Sequence, residues 1–208
     1  MDVDFMRVLR QFEDALRAAG AGVTAVLAPG IPKEEVRADL DALGMEPAQE
    51  LVEWFAWHNG IASSSSLSVA NGPGWPLGRT AAGTCSLGVW WPLSLEESIA
   101  EWRAKDRGTD PWQWDPRWLP IGIASARDTL AVRCDPPQGP SATVRNAAVD
   151  AGLFNEDEMP SVTGFATVVT WWTESIERGW WHLDRAHDTW DNTRWGEMPL
   201  ERRLTGLV

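Results

Sequence analysis

Cysteine is scarce in this chain of 208 residues, which contains only Cys85 and Cys134. Two isolated cysteines do not define a disulfide framework, and a chain of this length buries roughly 70% of its unfolded surface without one. The sequence therefore predicts two free, buried thiols in a reducing compartment. It also lacks a basic segment followed by an apolar one at its N-terminus, and any apolar run of membrane-spanning length. We accordingly predict a cytoplasmic protein without membrane contact.

The motifs of the common catalytic and cofactor sites are absent as well. The sequence contains no Gly-x-x-x-x-Gly-Lys, Gly-x-Gly-x-x-Gly, Gly-x-Ser-x-Gly, His-Glu-x-x-His or Cys-x-x-Cys. These absences leave the usual routes to nucleotide binding, acyl transfer and zinc chemistry without support. They weaken an enzymatic interpretation, and we predict no catalytic residue, no cofactor and no metal.

One group of side chains keeps a metal-binding alternative open. Imidazoles and carboxylates crowd within ten residues near the C-terminus, at His182, Asp184, His187, Asp188 and Asp191. Two histidines five residues apart do not share a helix face, and the spacing matches no standard metal site. A solvated charged tail is the preferred interpretation. For His58, at the end of a predicted helix, we expect a structural role in capping free carbonyls.

Basic residues are few relative to acidic ones. The chain has 18 Lys and Arg against 30 Asp and Glu, a net charge of −12. Residues 1–60 contribute half of the imbalance, with 11 carboxylates and 5 basic side chains. This charge repels nucleic acid and accelerates encounter with a basic partner, although solubility alone is an equally good explanation.

Tryptophan is abundant, with 15 residues, while tyrosine is absent. Clustered tryptophans stack on sugars or form hot spots of protein interfaces. Many of them, however, follow the spacing of buried helix or strand faces, which favours a role in the core.

Alternating apolar residues predict an antiparallel sheet at the centre of the chain. Residues 118–124 and 129–134 form the predicted hairpin, and residues 142–146 add a third strand. One face of the hairpin is expected to be buried. That face comprises Leu119, Ile121, Ile123, Leu130, Val132 and Cys134.

Helical periodicity surrounds this sheet. A stripe from Phe5 to Leu16 predicts a first helix that ends at Gly20. Further helices are predicted over residues 32–43, from about residue 47 to Asn59-Gly60, after a capping box at Ser94 and Glu97, and over residues 161–178. The β-branched residues of the last segment leave a strand as the alternative. Residues 61–84, rich in Ser and Gly, predict a long loop.

The order of several short motifs resembles the SUKH superfamily, the Smi/Knr-like family. The motifs are Trp57-His58-Asn59-Gly60 at a helix end, the helix capped by Ser94, Trp118-Leu-Pro-Ile-Gly122, the strand from Val132 to Asp135, Thr143-Val144, and the helix from Phe165 to Gly179. The resemblance covers residues 30–180. It departs from the family in the long loop after Gly60, in Arg127-Asp128 where many members have glycines and a small polar residue, and in the tryptophan-rich residues after 180.

The resemblance implies an α+β fold, a twisted antiparallel sheet packed with helices. We accordingly predict a SUKH-like domain over residues 1–180, with an N-terminal helix, followed by a tryptophan-rich C-terminal extension over residues 181–208 that departs from the family. Many bacterial members are immunity proteins that bind and neutralise polymorphic toxins, often nucleases. By resemblance, then, we expect a stoichiometric inhibitor whose partner is a basic toxin domain.

Charge and composition, and not the family, select the expected contact residues. They are Glu34, Glu35, Asp39, Asp41, Glu46, Glu50 and Glu53 on two helices, with Trp112 and Trp114 as anchors. A regulatory or scaffold protein that binds a host protein is the alternative, and a carbohydrate-binding or metal-dependent protein is a further one.

Overall fold

Five α-helices and nine β-strands make up the described part of the chain. The computed structural model describes residues 4–62, 90–106, 114–123, 129–135, 140–147, 161–184, 189–191, 194 and 197–199. The helices are α1 (Phe5–Ala19), α2 (Lys33–Asp41), α3 (Gln49–Trp57), α4 (Leu95–Asp106) and α5 (Phe165–Glu177), and a short 3-10 turn spans Gly22–Ala25. The strands are β1 (Leu27–Pro29), β2 (His58–Ile61), β3 (Trp91–Pro92), β4 (Trp118–Ile123), β5 (Thr129–Arg133), β6 (Thr143–Ala147), β7 (Ser161–Thr163), β8 (His182–Asp184) and β9 (Thr189–Asp191).

Helix α1 follows the predicted stripe. The Asp4 carboxylate accepts a hydrogen bond from the Arg7 amide at 3.1 Å, which caps the first turn. Gly20 ends the helix with φ 83°, in the left-handed region that glycine adopts without strain. The buried side of the helix consists of Phe5, Val8, Leu9, Phe12, Ala15 and Leu16. Local sequence alone was therefore sufficient to predict this helix and its orientation.

Helix α3 ends earlier than predicted. It stops at Trp57, and His58 is already extended, with φ −147° and ψ 137°. Residues His58–Ile61 form β2 and pair with β1, with Leu27 opposite Ile61. The prediction that the helix continues to Asn59-Gly60 was wrong, because hydrogen bonds to a strand 30 residues away replace its last turn. Strand β1 spans only three residues and was not predicted.

The central hairpin lies within an antiparallel sheet of five strands in the order β3-β4-β5-β6-β7. Strand β6 occupies the predicted third position and pairs with β5, where Val132 lies opposite Val144. On one face of the sheet, Leu119, Val132 and Val144 join the main core. The predicted class, an α+β fold with an antiparallel sheet packed with helices, is thus confirmed.

A register shift between Pro120 and Gly122 changes one face of β4. Leu119 lies opposite Val132, but beyond the shift Gly122 lies opposite Leu130 and Ile123 opposite Thr129. Directly paired residues of an antiparallel ladder point to the same side, so Ile123 lies on the face opposite to Leu119. The prediction that Ile123 shares the face of Leu119 was wrong, because an irregularity of one residue reverses the alternation.

The second face of the hairpin is also covered. Trp114, Trp118 and Ala131 form a separate buried cluster there, and Trp102 of α4 packs against it. The Trp102 indole N–H donates to the Pro116 carbonyl at 2.9 Å. A hairpin with one buried face was predicted, whereas tryptophans from outside the sheet bury the other face as well.

The capping box at the start of α4 is confirmed in both directions. The Glu97 amide donates to the Ser94 hydroxyl oxygen at 3.1 Å, and the Ser94 amide donates to Oε2 of Glu97 at 2.8 Å. A third contact comes from the Asn59 side chain, whose oxygen accepts the Leu95 amide at 2.7 Å. The start of α4 is therefore joined to the end of β2.

The last helix begins four residues later than predicted. Residues Ser161–Thr163 form the edge strand β7, and α5 starts at Phe165 after Gly164, whose φ is 102°. Both interpretations of this segment are thus partly correct, the strand for its first residues and the helix for the rest. Gly179, with φ 68°, follows the end of the helix as predicted.

Side chains beyond residue 180 contribute to the same core as the helices. Trp181, Leu183 and Met198 are buried in the main cluster, and Trp190 packs against it. Among the helices that the structure describes, none combines the length and the apolar character that a membrane crossing requires. The predicted loop is described only at residues 61 and 62, and Cys85 and Trp112 also lie outside the described residues.

Cys134 is a free, buried thiol, as predicted. Burial raises the pKa of its thiol to about 12, against the smaller opposing effect of a backbone hydrogen bond at Leu119. Only about one molecule in ten thousand would then carry the reactive thiolate at pH 8. In a Cys85→Ser variant, we expect Cys134 to react with Ellman's reagent at least about 100-fold more slowly in the native state than in urea. Equal rates in the two states would contradict this burial.

Candidate functional site

Five carboxylates form an exposed acidic surface on α2 and the segment that follows it. Its members are Glu34, Glu35, Asp39, Asp41 and Glu46, all exposed to solvent. Val36 and Leu40, on the opposite side of the helix, are fully buried. Burial of this apolar side holds α2 against the domain and directs its acidic side outward.

The two basic residues of α2 contact α3 and form no ion pair with this acidic surface. The Lys33 ammonium lies 2.8 Å from Oε1 of Glu53, and Nη2 of Arg37 donates to the Gln49 side-chain oxygen at 2.6 Å. Both cations thus reach across to α3. In the described part of the chain, no member of the acidic surface takes part in an ion pair.

Glu53 was predicted to belong to the contact surface, but the structure gives it an internal partner. Its side chain is 15% exposed and paired with Lys33. The same oxygen, Oε1, also accepts a hydrogen bond from the Gln49 amide group at 2.7 Å. Glu53 therefore holds α2 and α3 together at the margin of the acidic surface.

Glu50 does not lie on the acidic surface. Only 7% of the residue is exposed. Its carboxylate accepts backbone N–H groups from Ala142 at 2.6 Å, Phe165 at 2.8 Å and Ala166 at 3.2 Å. The prediction that Glu50 contacts a partner is corrected by this burial. One feature of the sequence indicated this burial: Glu50 lies four residues before Trp54, on the buried stripe of α3.

Trp114, one of the two predicted aromatic anchors, is likewise not at an exposed surface. Trp114 is 5% exposed, and its indole N–H donates to the Trp118 carbonyl at 2.8 Å. The Lys105 ammonium covers its ring at 4.9 Å from the centroid. Trp114 thus closes the second face of the sheet and is not available as an exposed anchor, while Trp112 lies outside the described residues.

His58 has a structural role, but a different one from the predicted helix cap. Its Nδ1 lies 2.9 Å from the Ala28 carbonyl of β1, and its Nε2 lies 3.4 Å from Oε2 of Glu13 on α1. The same Glu13 oxygen accepts the Trp57 indole N–H at 3.1 Å. A carbonyl oxygen only accepts, so Nδ1 is the donor in the contact with Ala28. His58 therefore joins α1, β1 and β2, and both of its nitrogens are engaged.

The acidic and imidazole group near the C-terminus is only partly described. His182 is exposed and lies opposite Asp191 in the pair formed by β8 and β9, while Asp184 is half-buried. His187 and Asp188 lie outside the described residues. Among the residues that the structure does describe, no three His, Cys, Asp or Glu side chains are arranged to hold a metal ion.

No protein-family model matches this chain, and no curated protein matches it significantly.

Proposed function

We propose that this chain is a non-catalytic binding protein of the SUKH type, an immunity protein that neutralises a basic toxin domain, such as a nuclease, by stoichiometric binding. One observation carries the proposal. The two cations of α2 contact α3, and none of the five exposed carboxylates forms an ion pair with a described residue. Such a surface is complementary in charge to the cationic site with which a nuclease binds nucleic acid.

The geometry of α2 supports a preorganised interface. Val36 and Leu40 are buried, and contacts of Lys33 and Arg37 with α3 hold the helix from both sides. The carboxylates are therefore already placed before a partner arrives, and little backbone order has to be gained on binding. Charges at the rim of an interface act mainly on the association rate.

Two observations favour binding over the catalytic and carbohydrate alternatives. A substrate would have to displace Ala28 or Glu13 before either nitrogen of His58 could act as a base. Of the tryptophans that the structure describes, eight are buried and four are half-buried, which leaves little open indole surface for stacking on a sugar in this part of the chain.

The central test is charge reversal of the acidic surface. In a Glu34→Lys, Glu35→Lys, Asp39→Lys variant, we expect association with a basic toxin domain encoded beside this gene to slow at least about tenfold at low salt. The dissociation rate should change less, because exposed charges contribute little to the bound state. Stopped-flow binding at about 25 and 150 mM salt measures both rates.

A matched pair of single variants controls for effects on helix stability. Glu34 and Glu96 are both exposed and are the second residues of α2 and α4. Lysine has the same unfavourable interaction with the helix dipole at both positions. Only Glu34→Lys should slow association. An unchanged rate in the triple variant at low salt would reject the acidic surface as the interface.

Growth of cells that express the toxin domain tests the immunity function itself. We expect this protein to rescue growth and to bind the toxin domain with one-to-one stoichiometry. Absence of both rescue and binding, with capture of a host protein instead, would favour the regulatory or scaffold alternative.

A further inference from the structure

Helices α1 and α5 pack side by side and leave an open groove of about 750 Å³ on their outer side. Eleven residues line it, six from α1 and five from α5. They are Val8, Gln11, Asp14, Ala15, Ala18, Ala19, Thr170, Thr173, Glu174, Ile176 and Glu177. None of them belongs to the acidic surface of α2.

The floor of the groove is apolar and made of small side chains. Three alanines of α1 face Thr170 and Thr173 of α5. The Thr170 hydroxyl donates to the Ala166 carbonyl at 2.7 Å, and the Thr173 hydroxyl donates to the Val169 carbonyl at 3.0 Å. Because both hydroxyls are bonded within the helix, the two threonines leave their methyl groups for contact. The floor therefore has room for larger apolar side chains from outside.

The rim of the groove carries negative charge on both helices. Asp14 contributes from α1, and Glu174 and Glu177 contribute from α5. Asp14 is 74% exposed and pairs with Arg17 at 2.7 Å, and Glu177 is exposed. The described residues that line the groove include no lysine or arginine. Because Arg17 already pairs with Asp14, Glu177 of α5 is the exposed carboxylate of the rim that forms no ion pair with a described residue.

The geometry points to a docking site for a cationic amphipathic helix of a protein partner. A third helix fits between two packed helices, with apolar side chains of leucine size over the alanine floor. A lysine or arginine on its flank reaches the Glu177 carboxylate, and the stem of that side chain covers apolar surface. The negative edges disfavour nucleic acid and anionic lipid.

This inference does not rest on the proposed immunity function. It concerns a second surface with an apolar floor, and its failure would leave the acidic surface of α2 untouched. Conversely, a groove that binds a cationic helix would remain if charge reversal on α2 had no effect on a toxin.

A labelled 14-residue helical peptide of leucine and lysine, with its leucines on one face, serves as the probe. Fluorescence anisotropy measures its Kd for the full chain. Ala18→Trp fills the groove without changing charge, and Ala38→Trp is its control, since both alanines are exposed on helices. Glu177→Lys is matched by Glu34→Lys on α2. We expect both groove variants to raise Kd about tenfold and both controls to change it less than about twofold.

Several outcomes would overturn the proposal. Absence of peptide binding to the unmodified chain is one. Equal weakening by Glu177→Lys and Glu34→Lys is another, because it would indicate attraction by net charge alone. Peptide-induced shifts of amide resonances must map to α1 and α5 and not to α2. If the chain forms a dimer that Ala18→Trp abolishes and the peptide does not, the groove would be the contact surface for a second copy of the chain. Circular dichroism confirms that each variant is folded.

Discussion

Replacement of Glu50 by alanine is expected to lower the free energy of unfolding by about 3 to 5 kcal/mol. The carboxylate accepts three backbone N–H groups, two of them at the first residues of α5. Alanine would leave these donors buried without an acceptor and would remove a negative charge from the positive end of the helix dipole. Urea unfolding followed by tryptophan fluorescence measures the loss.

Two comparisons make the Glu50 prediction specific. Glu35→Ala removes an exposed carboxylate from α2 and should change stability by less than about 0.5 kcal/mol. In the Glu50 variant, the rate of hydrogen exchange should increase more at the amides of Ala142, Phe165 and Ala166 than at other amides. If Glu50→Ala were as stable as Glu35→Ala, the buried acceptor would not hold α5 as the structure indicates.

Replacement of Gly60 by alanine is expected to cost at least about 3 kcal/mol. Its φ is 73°, and a Cβ atom there would lie 2.5 Å from the Ser94 amide nitrogen and 3.0 Å from the Leu93 carbonyl carbon. Both neighbours are backbone atoms at the start of α4, which cannot rotate away as a side chain can. The alanine therefore separates β2 from α4 and lengthens the hydrogen bond between Asn59 and Leu95.

Gly44 provides a control for the Gly60 prediction. It has the same φ of 73°, but a Cβ atom there would meet no other atom within 4 Å. Gly44→Ala should therefore cost only the left-handed backbone conformation, about 1 to 2 kcal/mol. The difference between the two variants in chemical denaturation isolates the steric conflict. Equal costs would mean that β2 and α4 are not in close contact at this point.

These two predictions affect how loss of function should be interpreted. A Glu50 variant that fails to bind a partner is expected to do so because α5 and α3 have come apart, whereas Glu34→Lys should fail while fully folded. Stability and binding must therefore be measured together. The acidic residues between 34 and 53 thus divide into a structural part, Glu50 and Glu53, and an exposed part.

The sequence alone determined the features that depend on residues close together in the chain. Phe5 to Leu16 form a helical stripe, and Ser94 and Glu97 form a capping box, because the atoms that decide these features are at most one helical turn apart. The strands β4, β5 and β6 were predictable for the same reason, since alternation within each segment reveals a buried face.

The tertiary structure decided the features that depend on distant atoms. His58 leaves the helix because β1 offers it a partner, and Ile123 changes face because pairing with β5 shifts between Pro120 and Gly122. The candidate site divides in the same way. Exposure of Glu34, Glu35 and Asp39 followed from the helical period of α2, whereas burial of Glu50 depended on the N-terminus of α5, more than 100 residues later. The spacing of Glu50 from Trp54 places it on the buried side of α3, but only the distant N–H groups of Ala142, Phe165 and Ala166 allow a carboxylate to be buried there as a helix cap.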